Sequence, residues 1–335
     1  MAMKIGFSKK MVLFFLVIGA IGGFAFVGWD VDLKKSHTAT AQHVAFDESM
    51  LLSEYQNILE RNDFQMVYGI FKDLYEKHNF KTLKATEDTR IPKLIHVMWL
   101  GGKLPEEFES YVASWKKYHP DWKMLFWTDS KENYARGDVV LQSFSELQTR
   151  LLSGKKGECI VIDSNRLAYE NKKFYDAAIN YGEKSDILKW EIVYRFGGVY
   201  VDTDFECLQP LDQYNHTFDL YTGLQPLDTN MVQLGAALYG AIPQHPILKA
   251  CVEMIKHNQD IQQIIVKTGP IHFTKVFAHF AGKTGLRDVA LPSSYFYPCG
   301  YEQRGTPQQE WCKNESFAVH HWAGSWLKKE AFVRE

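Results

Sequence analysis

Arg195-Phe-Gly-Gly-Val-Tyr-Val-Asp-Thr-Asp-Phe-Glu206 is the stretch on which the reading of this chain turns. It joins an apolar segment to a glycine pair, a short β-prone run, and two carboxylates one residue apart. Side chains on an extended chain alternate faces, so Asp202 and Asp204 are expected to point the same way. Two carboxylates on one side of a strand end make a hard, oxygen-rich site suited to Mg²⁺ or Mn²⁺. Such ions keep waters and share a nucleotide's phosphates. The stretch therefore predicts a nucleotide-sugar site. Glu206 continues the alternation on the same face.

Outward from this stretch, the chain from Ile91 onward alternates strand-like and helix-like segments. Lys93–Trp99 reads as a strand ended by Gly101-Gly102, Pro105–Tyr118 as a helix stopped by Pro120, and Lys123–Trp127 as a second strand. Arg166–Tyr181 reads as a helix. Asp186–Arg195 reads as another, capped near Ser185 and ended by Gly197-Gly198, with Val199–Val201 as a third strand. This succession predicts an α/β fold with a mostly parallel central sheet. Ligands bind beyond the carboxyl ends of such strands. Trp99, Asp129 and the acid pair all fall there, which predicts one shared cleft. The tail from Leu211 is mixed and loop-rich, and runs into Val319-His-His-Trp-Ala-Gly-Ser-Trp-Leu327.

Before this domain, residues 30–89 are polar with helical periodicity. Leu51, Leu52, Tyr55, Ile58 and Leu59 recur at helix spacing, as do Phe64, Val67, Tyr68, Phe71 and Tyr75. They predict a helical stem or a cap, with a boundary in 81–90 and a catalytic domain over 90–335. Residues 11–29 carry no charge across 19 positions. As a helix that length crosses a bilayer core of roughly 30 Å. Lys4, Lys9 and Lys10 precede it, so the expected topology is a cytosolic tail over 1–10 and a single-pass membrane anchor over 11–29. The bulk would then lie in a Golgi-type lumen or outside a cell membrane. A cleaved signal peptide, with Gly23-Phe24-Ala25 as its cleavage site, is the rival reading.

With 335 residues, 46% hydrophobic and 23% charged, a sizeable buried core is expected. A net charge of −2 without a basic stripe argues against nucleic-acid binding. The five cysteines show no zinc spacing. Cys299 and Cys312 could bridge in an oxidising compartment, and five unpaired thiols are the alternative. Asn215-His-Thr217 and Asn314-Glu-Ser316 fit the N-glycosylation pattern.

Four separated motifs resemble one family: Ile91-Pro-Lys-Leu-Ile-His-Val-Met-Trp99, Ser185-Asp-Ile-Leu-Lys189, Phe196-Gly-Gly-Val-Tyr-Val-Asp-Thr-Asp204 and His321-Trp-Ala-Gly-Ser-Trp326. Together they are similar to the DXD-containing sugar-binding glycosyltransferases. That group includes initiating α-1,6-mannosyltransferases, inositol phosphorylceramide mannosyltransferases and α-1,4-glycosyltransferases. The resemblance implies a GT-A-like nucleotide-sugar-binding fold, a nucleotide-diphosphate sugar donor, a divalent metal and retention of anomeric configuration. By position it implies that Trp99 stacks on or beside the base and that Asp186 holds ribose or sugar hydroxyls. Asp202 would contact ribose or sugar and reach the metal through water, and Asp204 would bind the metal directly. His321 and Ser325 would complete the metal shell, and Trp326 would pack on the phosphates. Asn230 and the Gln244-His-Pro246 turn resemble the segment lining the acceptor side. Lys189 stands where the family commonly has Arg, and it cannot form Arg's bidentate fork with a diphosphate. Asp186 and Lys189 still share a helix face.

The expectation is a hexosyltransferase using Mn²⁺ or Mg²⁺ to move a hexose from GDP-mannose or a UDP-sugar to a glycan, glycolipid or protein acceptor. Asp204, Asp202, His321 and Ser325 are the candidate metal residues, and Asp186, Lys189 and Asp202 the candidate catalytic ones. Trp99, Asp186, Asn230 and Trp326 are the candidate substrate contacts. A metal-dependent phosphotransferase is an alternative. Against it, Glu206 stands where the haloacid-dehalogenase type wants Thr or Val, and no P-loop is present. A non-catalytic carbohydrate-binding protein on the same fold is another, with Lys189 as its only local hint.

Overall fold

The segment Leu-Ile-His-Val-Met-Trp99 has no polar face except at His96, the composition of a strand covered on both sides. In the computed structural model, which describes residues 42–51, 55, 57, 60–306 and 310–328, it is β1 (Leu94–Trp99). The other strands are β2 (Lys123–Thr128), β3 (Val139–Leu141), β4 (Cys159–Asp163), β5 (Gly198–Val201), β6 (Phe205–Cys207), β7 (Leu220–Leu224), β8 (Leu234–Ala241), β9 (Asp288–Leu291) and β10 (Ala318–His320). Among the described residues, eight of them form one sheet in the order β3-β4-β2-β1-β5-β8-β7-β9, and β10 pairs with β6 apart from it. Parallel pairing joins β1 to β2 and β5, β4 to β2 and β3, and β7 to β9. Only β8 runs antiparallel to its two neighbours. The mostly parallel sheet expected from the sequence is present.

Strand order reverses at β1. The chain builds outward through β2 and β4 on one side, then returns to lay β5 on the other. A crevice opens beyond the carboxyl ends of the strands at such a switch point. Val97 pairs with Val201, so Trp99 and the Asp202–Asp204 turn leave the sheet side by side.

The helix Tyr181–Phe196 feeds β5. It starts earlier than expected: the Asn180 side chain accepts the Gly182 N–H at 2.8 Å, and Ser185 lies a turn inside. The glycine doublet ends it. Gly197 has φ +63° and Gly198 φ +100°, a region that side chains avoid. A Cβ on Gly198 would lie 2.8 Å from the Leu94 carbonyl oxygen. His96 closes this corner. Its Nε2–H donates to Gly197 O at 2.8 Å, and its Nδ1 accepts the Trp127 indole N–H at 3.2 Å. Burial pushes its pKa down to about 4, so the ring is a neutral structural group.

Other expectations need correction. Arg166–Tyr181 is not one helix. Ahead of Tyr181, where the next helix starts, only Lys172–Ala177 is α-helical, because Glu191 binds the Glu170 N–H and the Asn171 amide donates to Val252 O. These tertiary bonds override local periodicity. Of the two readings of the cysteines, the structure has the one with five free thiols, and Cys299 and Cys312 do not bridge. Asn215, which fits the N-glycosylation pattern, is fully buried, with its amide on the Ile91 and Pro92 carbonyls.

Asn62–Lys77 is helical, as its spacing predicts, and buries Tyr68, Phe71, Leu74 and Tyr75 against the body. Phe71 meets Phe277 edge-on at 5.8 Å, and the Tyr75 and Tyr295 hydroxyls bond at 3.0 Å. The expected tail and membrane span over 1–29 lie outside the described residues. Among the described residues, no helix is long and apolar enough to cross a membrane.

Candidate active site

β5 ends at Val201, and a tight turn follows in which the Phe205 N–H returns to Asp202 O at 3.1 Å. The two acids share a side because of this turn. The strand alternation invoked from the sequence stops before them, and Glu206 therefore does not join them. They open into a cavity of about 590 Å³ at the switch point. Trp99, Asp186, Lys189, Asp202, Asp204 and His320 all line it, with Ser325 and Trp326 at its C-terminal wall. That volume lies within the ordinary range of cofactor and ligand sites.

Asp186 and Lys189 form an ion pair at 2.5 Å from one face of the Tyr181–Phe196 helix. Both are buried. Asp186 also accepts the Thr268 hydroxyl at 3.1 Å, and the Lys189 ammonium lies 5.3 Å from the Tyr200 ring. Tyr200 donates its hydroxyl to Asp202 at 2.7 Å and contacts the Ser185 hydroxyl at 3.2 Å. A fixed cation and a phenol thus brace the first acid. Burial pushes the Asp202 carboxyl up to about 6; Lys189 opposes the rise and Asp204 adds to it. Burial also pushes Asp204 up, but the His320 imidazole and the Ala323 N–H outweigh it and hold this acid below its ordinary range.

The C-terminal segment reaches the acids through the short β6–β10 ladder. His320 pairs with Phe205, and its Nε2 lies 3.2 Å from Asp204. The structure thus brings His320, rather than the expected His321, to the acid pair. His321, the first residue after β10, does not line the cavity. It meets Glu206 at 3.0 Å and stacks on Tyr111 at 4.0 Å. Asp202, Asp204 and His320 place one ligand atom each within 4.8 Å of one another. Burial and then the neighbouring Asp204 charge raise the Asp202 carboxyl, so a cation between the two acids would favour both in their ionised form. Two carboxylates and an imidazole in this arrangement fit a divalent cation.

Trp99 is half-buried at the rim and tilts on Phe108 at 5.3 Å. Trp326 packs over Gly182, where a Cβ would lie 2.7 Å from its own Cβ, and its carbonyl accepts the Asn180 amide at 2.9 Å. Asn230 is not brought to the cavity. It is exposed in a left-handed turn, and Thr229 lines the wall instead. The Gln244-His-Pro246 turn lies at the opposite end of the sheet, where His245 pairs with buried Asp288 at 2.8 Å. Asp129 also stays out of the cavity lining and accepts the Gly101 N–H at 2.8 Å.

Residues 105–219 match the model of a family described as glycosyltransferase sugar-binding region containing DXD motif. The chain is 25% identical over 208 residues to inositol phosphoceramide mannosyltransferase 1 of Schizosaccharomyces pombe, a match covering 58% of this chain and 53% of that protein. It is 23% identical over 231 residues to the human alpha-1,4-N-acetylglucosaminyltransferase, covering 63% and 65%. The chain spans about half the length of the mannosyltransferase. Among solved structures, the PaToxG glycosyltransferase aligns with a TM-score of 0.45 at 17% identity, over 70% of this chain and 78% of that one.

Proposed function

We propose, for a chain that belongs to the DXD-containing sugar-binding glycosyltransferase family, a metal-dependent retaining transfer of a hexose from a nucleotide-diphosphate sugar. The donor is GDP-mannose or a UDP-sugar, and the acceptor a glycan, glycolipid or protein. One observation carries this reading: Asp202, Asp204 and His320 converge within 4.8 Å, on the wall of a roomy cavity at the switch point. Mn²⁺ or Mg²⁺ held there supplies a Lewis acid for the charge that grows on the departing diphosphate.

The chain's own residues divide the remaining work. Asp204, Asp202 and His320 hold the cation, with Ser325 close by on the same wall. Lys189 is a fixed positive charge beside them, oriented by Asp186 before any ligand arrives, and such preorganised charge stabilises a transition state without reorganisation. The Asp186 and Asp202 carboxylates can favour the positive charge that develops at the anomeric carbon. Trp99 offers an aromatic wall for the base, and Trp326 closes the phosphate side. The uncharged run 11–29 is the proposed tether of this cleft to a membrane.

The test is hydrolysis and transfer across UDP- and GDP-sugars with Mn²⁺. Turnover of a sugar nucleotide, abolished by EDTA and by Asp204→Ala, is expected. Turnover of phosphomonoesters alone, or glycan binding without turnover, would replace this reading with a phosphotransferase or a carbohydrate-binding protein.

A further inference from the structure

Trp322 has φ +55°, a left-handed conformation that a bulky residue adopts only when its surroundings impose it. The imposing group is Asp204. Its main-chain oxygen accepts the His321 N–H at 2.9 Å, and its carboxylate accepts the Ala323 N–H at 2.9 Å. Trp322 is the residue caught between those two donors. Its indole N–H is spent on Cys299 O at 3.0 Å, which fixes the ring. Its ring centre lies 4.3 Å from that of His320, 6.0 Å from Tyr297 and 6.3 Å from Tyr301, the last nearly perpendicular. Tyr301 is 41% exposed, and the Arg304 guanidinium stands 3.7 Å over its ring. Both aromatics line the cavity.

We propose that Trp322 and Tyr301 form a stacking subsite for a pyranose ring of the acceptor, an inference that rests on the transferase reading above. The order along the wall is the reason. His320 sits at the acid pair, Trp322 comes next, and Tyr301 is at the solvent side. A diphosphate belongs at the acids, so a molecule arriving from solvent meets Tyr301 and then Trp322. With its polar N–H already bonded, the partly exposed indole presents apolar surface to the cavity. The electron-rich face of such a ring attracts the slightly positive C–H bonds on one side of a pyranose. Trp322 is only partly buried and lines the cavity, as a stacking residue must.

The test is saturation-transfer NMR on the full chain with Mn²⁺, using methyl α-mannopyranoside, methyl β-galactopyranoside, GDP and UDP as probes. Saturation is expected on the C–H protons of one face of a bound glycoside. Tyr301→Ala and Trp322→Ala should weaken that glycoside by about tenfold, and the nucleotide by much less in Tyr301→Ala. Trp322→Phe, which keeps a ring, should recover most of the loss and guards against misfolding of the alanine variant. Equal glycoside binding by wild type and Tyr301→Ala overturns the inference, as does nucleotide binding without any glycoside contact. If wild-type protein binds neither nucleotide nor glycoside, the transferase reading falls and takes this inference with it.

Discussion

Asp202 shares the buried end of the cleft with Asp204 and Lys189. Burial raises its carboxyl to about 6, above the ordinary range, so the metal-free folded state keeps a proton that the unfolded chain has released. The sign follows: this group destabilises the metal-free protein above pH 6, and stability through it rises as pH falls from 7 towards 5. Asp202→Asn should therefore raise the stability of metal-free protein at pH 7 by roughly 1–2 kcal/mol, read from urea unfolding. It should also shrink the stabilisation that Mn²⁺ gives. Lys189 is the counterpart. Replacing it with Met strands the Asp186 carboxylate in a buried site, and a loss of about 3 kcal/mol is expected in the same assay. At this scale the sequence was informative. Asp202 and Asp204 are legible from their spacing, Asp186 and Lys189 from the family resemblance, and the structure gathers all four on one cavity. The choice between His320 and His321 was not legible. It depends on the pairing of β10 with Phe205–Cys207, a contact more than a hundred residues away in sequence. Tyr200 was hidden for a similar reason: its hydroxyl reaches Asp202 only because the chain turns after Val201.

Elements position these residues through their ends. Gly101 follows β1 with φ +85°, and a Cβ there would lie 2.4 Å from the Tyr181 ring. Gly101→Ala should push the loop after Trp99 away from the Tyr181–Phe196 helix. A loss of about 2 kcal/mol is expected from the backbone conformation and the clash together, visible as a lower thermal midpoint. Asn180 both caps that helix and holds the Trp326 carbonyl. Asn180→Ala should cost about 1 kcal/mol from the lost cap. It should also loosen the C-terminal wall, measured as faster amide exchange at Ser325 and Trp326. The strands β1, β2 and β5 were readable as apolar runs bounded by breakers. The Tyr181–Phe196 helix was readable in its body but not at its start, because the cap at Asn180 precedes a tyrosine and a glycine rather than an apolar repeat. The Arg166–Tyr181 stretch failed as a helix because Glu191 and Val252, distant in sequence, take its backbone and its Asn171 side chain.

At the scale of the whole molecule, the reversal of strand order beside β1 creates the cleft, and the segment 318–326 completes it. Residues 318–323 cross back to bond Asp204 with main chain and side chain alike, so the far end of the sequence helps build the site founded by β5. An α/β alternation could be read from the chain, and with it the prediction of a site at strand ends. The packing of Gln244–Pro246 at the opposite end of the sheet could not, since it follows from the antiparallel insertion of β8. The claim on which the account rests is that Asp202, Asp204 and His320 together grip one divalent cation. Electron paramagnetic resonance of Mn²⁺ titrated into wild-type, Asp204→Ala, His320→Ala and His321→Ala proteins tests it most directly. The account predicts one bound ion in wild type and in His321→Ala, weakening of about tenfold or more in His320→Ala, and loss in Asp204→Ala. Unchanged Mn²⁺ binding in Asp204→Ala and His320→Ala would contradict it.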